Sequence, residues 1–307
     1  MRAAFLRTLE ELAAADERIV FLTGDLGFTV VEPFATRFPR RFVNVGVAEQ
    51  NMTGLAVGLA LAGKIAFTYS IANFPTLRCL EQIRNDGCYH KANLKIVSIG
   101  GGLAYGALGS SHQATEDLAI MRALPGLVVV APGDPLEAEA ATRAIAAYDG
   151  PCYLRLGKAG EPVVHERPPA FELGRAIPVR DGRALTIIST GAMLAPVVRA
   201  ADALAAEGLA AAVLSMPTIK PLDSAAILDA ARTAGGILTV EEHSVIGGLG
   251  GAVAEILAQH APSRVRFRIL GLPDAFCRYV GSQDYLRERS GLAVEDIMRA
   301  ARQLVAD

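Results

Sequence analysis

Short β-branched runs alternate with Ala- and Leu-rich stretches of helical length along most of the 307 residues. Residues 2–15 read as a helix, 19–22 and 42–45 as strands, and 50–62 as an almost wholly apolar helix. The rhythm continues with strand 64–68, helix 74–89, strand 95–98, a helix starting near Thr115, and strands 127–131 and 152–156. Over 157–173, GKAGEPVVHERPPAFEL, it stops: Pro162, Pro168 and Pro169 among mixed charges suit an exposed connection. Strands 185–189, 211–215, 236–241 and 264–270 then follow, separated by helices such as 193–207 and 248–260. Parallel strands need a crossover, usually helical, so this alternation predicts an α/β fold. The expected arrangement is two doubly wound domains with mostly parallel sheets. A first domain covers 1–157, a linker 158–173, and a smaller α/β domain 174–307.

Length agrees, since domains run to roughly 100 to 200 residues. With 51% apolar and 20% charged residues, disorder and collagen-like repeats are excluded. A net charge of −2 argues against a nucleic-acid or anionic-membrane surface. The longest apolar stretch, 52–63, is closed by Lys64. It falls short of the roughly 20 residues that span a bilayer and is expected to be a buried helix. Four cysteines without CxxC spacing, and an N-terminal stretch with no signal-peptide apolar run, suggest a cytoplasmic protein with reduced thiols.

Ligands of open α/β sheets bind beyond the carboxyl ends of the strands, which directs attention to three loops. TGDLGFT follows strand 19–22 and offers Asp25; NVGVAEQN sets Glu49 at the mouth of the apolar helix; SIGGGLAYGALGSSHQATED is Gly-rich and carries His112. Asp25 or Thr29 could simply cap a helix, and Gly-rich loops often only turn corners. Glu49 is harder to explain as structural, because a carboxylate against an apolar helix suffers desolvation unless something uses it. No GK[ST] follows the Gly-rich loop and no GxGxxG spacing occurs in it, so nucleotide-binding loops are excluded there. GGLGG at 247–251 is likewise a weak signal.

Taken in order, GDL, NVGVAEQN, SIANFPTLRCLEQIRN, GSSHQATEDLA, VAPGDPLEA, PCYLRLGKAG and TVEEHSVIGGLGG resemble successive motifs of the transketolase family. The match is to its C-terminal half, a pyrimidine-binding domain followed by a C-terminal domain. The AEQ form and the length resemble the smaller subunit of split, two-gene transketolases. The resemblance implies thiamine diphosphate as cofactor, with Mg2+ or another divalent metal. Glu49 matches the glutamate that hydrogen-bonds the aminopyrimidine, where a carboxyl group shielded from water can share a proton with the ring nitrogen. Phe74 matches the aromatic that stacks on the pyrimidine, with Tyr69 or Ile71 completing the apolar wall. Asp25 and Leu26 match positions near the bridge between the cofactor's two rings. His112 matches a catalytic histidine facing the substrate's reacting carbonyl and hydroxyls, and Arg2, Thr29 and Arg155 match positions that hold a substrate phosphate.

Two positions depart from the family pattern. Gly100 stands where a phosphate-facing histidine is usual, and Leu108 where an aspartate reads a hydroxyl. The GDG motif that holds the metal and diphosphate in the family's other half does not occur in this chain. The expectation is therefore a subunit that transfers a two-carbon ketol unit between a sugar or sugar phosphate and an aldehyde. It would act only with a GDG-bearing partner subunit, as a heterotetramer of two copies of each, binding no metal itself. Alternatives are the β subunit of a 2-oxo acid decarboxylase or dehydrogenase, a deoxyxylulose-phosphate-synthase-like enzyme, or a non-catalytic structural partner.

Overall fold

The computed structural model describes residues 1–261 and 265–306. Its first sheet is built from β1 (Ile19–Thr23), β2 (Phe42–Asn44), β3 (Ile65–Ile71), β4 (Leu94–Ile99), β5 (Val128–Val130) and β6 (Cys152–Leu156). Then follow β7 (Ile177–Arg180), β8 (Leu185–Ser189), β9 (Ala211–Ser215), β10 (Thr218–Lys220), β11 (Ile237–Ser244) and β12 (Phe267–Leu272). The strand orders are β10-β5-β6-β4-β3-β1-β2 and β12-β11-β8-β9-β7. Both sheets are parallel except at one edge, where β10 and β7 run antiparallel. The expected α/β class with two mostly parallel sheets is what forms.

The connecting helices are α1 (Arg2–Ala15), α2 (Glu32–Arg37), α3 (Glu49–Leu61), α4 (Leu80–Gln82), α5 (Asp117–Ala123) and α6 (Pro135–Ala147) in the first half. In the second they are α7 (Leu194–Ala206), α8 (Ser224–Thr233), α9 (Leu249–His260), α10 (Gln283–Arg289) and α11 (Val294–Ala306). Strands β1, β4, β6, β8 and β11 are buried throughout, as central strands covered on both faces must be. Because neighbouring strand residues face opposite ways, Phe67 and Tyr69 of β3 enter one core with Phe5, Leu9 and Phe21. Ala66 enters another with Met52, Ile83 and Leu118. That second core continues into Met216, Ile219, Ile227 and Leu249 of the other half, so the two sheets share apolar contacts.

Four features differ from the sequence reading. Strand β10 comes from beyond residue 174 yet completes the first sheet. The expected helix 74–89 is broken into a 3₁₀ turn at Leu77–Cys79, a short α4 and a π turn at Ile83–Cys88. Pro75 accounts for the late start, since it disfavours helical geometry at Phe74. The expected buried helix 50–62 buries only one face, through Met52, Thr53, Ala56, Val57 and Ala60. Its other face, with Gly54, Leu55, Gly58 and Leu61, is exposed, because nothing among the described residues packs there. Finally, β12 begins at Phe267, and Arg264 of the expected strand 264–270 lies outside the described residues. Among the described residues no helix is long and apolar enough to cross a membrane.

The connecting segment is tied down by side chains. Asp134 caps α6 by accepting from the Glu137 N–H at 2.8 Å, with Pro135 in the first turn. Its other oxygen accepts from Val164 and His165 N–H at 2.9 and 3.1 Å. His165 Nε2 lies 2.7 Å from Glu137 Oε1. The Glu137 hydrogen bond, outweighing burial, raises the His165 pKa above its ordinary value, with the charges of Glu137 and Asp134 acting the same way. A histidine whose folded pKa is raised adds stability that is fully present below the unfolded value of about 6.5 and is lost as pH rises through the folded value. Amide exchange across 161–173 should therefore quicken as pH rises through that window, after correction for intrinsic rates. In His165→Gln the pH-linked component should vanish; a persisting step would assign it elsewhere.

A candidate active-site cleft at the strand ends

Glu49 opens α3 just after β2, where a carboxylate is favoured by the helix dipole. It is only 2% exposed. Its Oε2 accepts from Arg78 Nη1 at 2.8 Å, while Oε1 has no hydrogen-bond partner among the described residues. The loop after β1 lies against it at Gly24, where a Cβ would make ordinary contact with Glu49 Cγ at 3.6 Å and a tight one with the Gly46 carbonyl oxygen at 3.3 Å. Beyond Gly24, Asp25 is exposed at φ +56° and exchanges hydrogen bonds with the Asn44 side chain. Leu26 is half-buried, and its carbonyl accepts from Thr23 Oγ1 at 3.1 Å. Thr29 is exposed at φ +70°, its N–H donating to Glu32 Oε1 at 2.7 Å. Neither Asp25 nor Thr29 caps α2, whose N-cap is Val31.

Arg78 reaches Glu49 from the broken helix and also covers Phe74, its Cζ 4.7 Å from the ring centroid. On Phe74 the His112 ring meets the phenyl ring edge-on, with centroids 5.3 Å apart and an angle of 69°. Asn73 links the two segments by donating Nδ2 to the Gln113 carbonyl. His112 Nδ1 is 3.0 Å from the Ser111 hydroxyl, and Nε2 has no partner among the described residues. Glu49, Arg78, Phe74 and His112 thus form a continuous line of contacts from a helix N-terminus to the Gly-rich loop.

Beside this line lies a cleft of about 570 Å³ whose walls include Phe74, Arg78, Ser111 and Gln113 from the first half and Phe276 and Cys277 from the second. Two buried polar atoms at its wall, Asn73 Oδ1 and Gln113 Nε2, have no hydrogen-bond partner among the described residues. A free carboxylate oxygen, an aromatic side and unspent amide groups suit a flat, nitrogen-bearing ring and a polar reactant beside it.

The other expected site residues are placed differently. Tyr69 points into the core on the far face of β3, its ring 6.2 Å from Phe5 and nearly parallel to it, so it forms no wall of this cleft. Burial raises its pKa, with Arg2 acting in the opposite sense. Ile71 is half-buried at the end of β3. Arg2 is half-buried and close enough to Tyr69 and Tyr105 to act on both hydroxyls.

Arg155 differs most from its expected surroundings: it is only 5% exposed, and two of its three guanidinium nitrogens are engaged inside the protein. Nε donates to Asp117 Oδ2 at 2.9 Å, and Nη2 donates to the carbonyls of Ala114 and Glu242 at 2.8 and 3.0 Å. Burial is the strongest single influence and works against its charge, but Asp117, Tyr153 and Glu242 together outweigh it and raise its pKa. Gly100, at φ +79°, has the Tyr105 ring in the place of a side chain; a Cβ there would lie 2.1 Å from it. Lys158 Nζ stands 4.7 Å from the centroid of that ring, and Leu108 is exposed.

Sequence reasoning did not single out Arg78, Asn73, Asp117 or Gln113. Arg78 carried the best available signal: a cation four residues after Phe74, opposite in charge to Glu49.

The family profile described as the transketolase pyrimidine binding domain matches residues 1–160, and that of the transketolase C-terminal domain matches 174–297. A transketolase C-terminal section from Methanocaldococcus jannaschii is 43% identical, covering 97% of this chain and 94% of that one. The 6-deoxy-6-sulfo-D-fructose transketolase subunit SqwH from a Clostridium species is 40% identical over 99% of this chain and 94% of its own length. Among solved structures, one described as "Split gene transketolase, inactive beta4 tetramer" superposes with a TM-score of 0.92 at 40% identity. It covers 99% of this chain and 98% of that one.

Replacing Arg155 by Met should unmask the buried Asp117 carboxylate, whose Oδ1 already lacks a partner. Breaking such a pair from one side costs about 3–5 kcal/mol, which urea unfolding of the chain would register. Unchanged stability, with only weaker binding of a sugar phosphate, would restore Arg155 to the substrate.

Proposed function

This chain belongs to the transketolase family as its C-terminal half, and from that premise we propose that it is the pyrimidine-binding subunit of a two-chain, thiamine-diphosphate-dependent transketolase. The observation that carries the reading is Glu49: a buried carboxylate with one oxygen fixed by Arg78 and the other free, beside Phe74 and His112. That donor set fits the aminopyrimidine end of the cofactor. When bound, thiamine diphosphate supplies the carbon nucleophile and electron sink that allow a ketose C–C bond to be cut. Its diphosphate and divalent metal belong, in this proposal, to a partner subunit bearing a GDG motif. Among the described residues no group of three or more His, Cys, Asp or Glu is arranged to hold a metal ion.

The chain's own residues have distinct tasks. Arg78 holds Glu49 Oε2, which leaves Oε1 to hold a proton against the pyrimidine ring nitrogen; exclusion of water strengthens that contact. Phe74 gives the ring an aromatic side. Ser111 engages His112 at Nδ1, leaving Nε2 to donate to the carbonyl or alkoxide oxygen of the sugar. Asp25, Leu26 and Ile71 border the cofactor. Arg2 and Thr29 keep their assignment to the acidic end of the substrate, whereas Arg155 does not. With Gly100 and Leu108 departing from the usual phosphate-reading pattern, the sugar is read differently from ribose 5-phosphate and xylulose 5-phosphate.

The exposed face of α3, with Gly54 and Gly58 permitting close approach, and the exposed Phe28 and Val47 are the surfaces assigned to subunit contact. Two copies of each chain, closed by a two-fold axis, would satisfy them. The cytoplasm is the compartment that suits four unpaired cysteines.

The test is reconstitution. This chain should be inactive alone, and active with a GDG-bearing chain, thiamine diphosphate and magnesium, using hydroxypyruvate as ketol donor and glycolaldehyde as acceptor. Activity of the purified chain by itself, or turnover of pyruvate in place of the ketol donor, would contradict the reading. In the active complex, Glu49→Gln should lower kcat by at least ~10²-fold, the usual scale of a lost proton-transfer partner. Near-normal turnover in that variant would remove Glu49 from the chemistry. His112→Ala should cost ~10²- to 10³-fold in kcat with little change in cofactor affinity, as expected of a donor that acts in the transition state.

A further inference from the structure

The TVEEHSV segment has no part in the cleft chemistry described above, yet it leaves β11 as three successive buried side chains, Glu241, Glu242 and His243, each holding a different element. Glu241 accepts from the N–H groups of Leu249 and Gly250 at 2.7 and 2.8 Å and so anchors the start of α9. His243 accepts through Nε2 from the Ala119 N–H of α5 at 3.2 Å, with Nδ1 held by the Ser244 carbonyl. Glu242 reaches across to the first half. Its Oε1 accepts from the Leu103 N–H at 2.6 Å and from Gln283 Nε2 at 2.8 Å, and Arg287 Nε grips Oε2.

Leu103 begins the loop that carries His112. The neck of that loop is a backbone bridge in which the N–H groups of Gly102 and Ala114 donate to each other's carbonyls, at 2.8 and 3.1 Å. Both sides of the neck are pinned from the second half. Ser244 N–H donates to the Thr115 carbonyl at 2.8 Å, and Arg155 joins the Ala114 and Glu242 carbonyls. Gly102, at φ +67°, must be glycine because a Cβ would lie 2.4 Å from Glu242 Oε1. Between the neck positions the chain has only two 3₁₀ turns, Gly106–Leu108 and Ser110–His112, so no regular element fixes it.

We propose that Glu242, through Leu103, is a positioning residue that sets where His112 stands beside the cleft, with Arg287 and Gln283 holding the carboxylate in place. The proposal rests on the reading of His112 given above. A misplacement of about 1 Å is enough to cost ~10²-fold in rate, so loss of this pin should appear in turnover rather than in binding.

The experiment is a double-mutant cycle in the reconstituted complex with hydroxypyruvate and glycolaldehyde, accompanied by hydrogen exchange on the chain. Glu242→Gln keeps the size and removes the charge that Arg287 grips. It should lower kcat at least ~10-fold, leave KM for hydroxypyruvate within about threefold, and speed exchange over 103–115 while β8 and α11 stay protected. In a His112→Ala background the same change should add less than about twofold, whereas in a Phe74→Ala background it should cost its full factor. Equal losses in both backgrounds, or unchanged exchange over 103–115, would overturn the proposal. Full turnover in His112→Ala itself would instead overturn the reading of His112. Should Glu242→Gln fail to fold, Arg287→Gln loosens the same carboxylate and must give the same pattern.

Discussion

The structure depends most on one buried ion pair, Asp117 with Arg155. Asp117 opens α5 and also accepts from the Tyr153 hydroxyl at 2.5 Å, so β6 contributes two donors to one carboxylate. The same guanidinium bonds the Ala114 carbonyl of the Gly-rich loop and the Glu242 carbonyl of the second sheet. Two charges withdrawn from water must compensate each other, and here the pair also joins three separate pieces of chain. With it in place the loop has a fixed neck, the two sheets have a fixed relation, and a cleft forms between Phe74 and Phe276.

The consequence for chemistry is a division of labour within the chain. The first half supplies the groups that, in the proposed function, face the ligand, on loops at the ends of parallel strands, where such folds place their sites. The second half lines one side of the cleft and, through Glu242, holds the loop on the other. The apolar positions exposed on α3 add an unpartnered face of small and aliphatic residues close to Glu49. A family member whose cofactor site is finished by a second polypeptide accounts for both the half-built cleft and the bare helix face.

Much of this was legible in the sequence, for identifiable reasons. Residues 2–15 and 152–156 form a helix and a strand with the bounds that periodicity gave, because local pattern and tertiary burial agree there. Glu49 was legible because a carboxylate beside an apolar run is physically anomalous, and it proves buried and paired. What stayed hidden depends on partners distant in sequence. Arg155 looked free for a phosphate because nothing local reveals Asp117, Ala114 and Glu242 around it. Tyr69 was expected at the wall from the resemblance alone, and the residue's place in the motif does not say which strand face it occupies. Strand β10 and the clasp of Glu242 on Leu103 are both contacts between halves of the chain, beyond the reach of any window of sequence.

The central claim is that this chain carries the pyrimidine half of a cofactor site that another subunit completes. Titration calorimetry of thiamine diphosphate with magnesium tests it most directly, run on the chain alone, on the GDG-bearing chain alone and on their equimolar mixture. Strong binding only in the mixture, lost on Glu49→Gln combined with Phe74→Ala, is the result expected. Equally tight binding to this chain alone, or binding in the mixture that ignores those two substitutions, would contradict it.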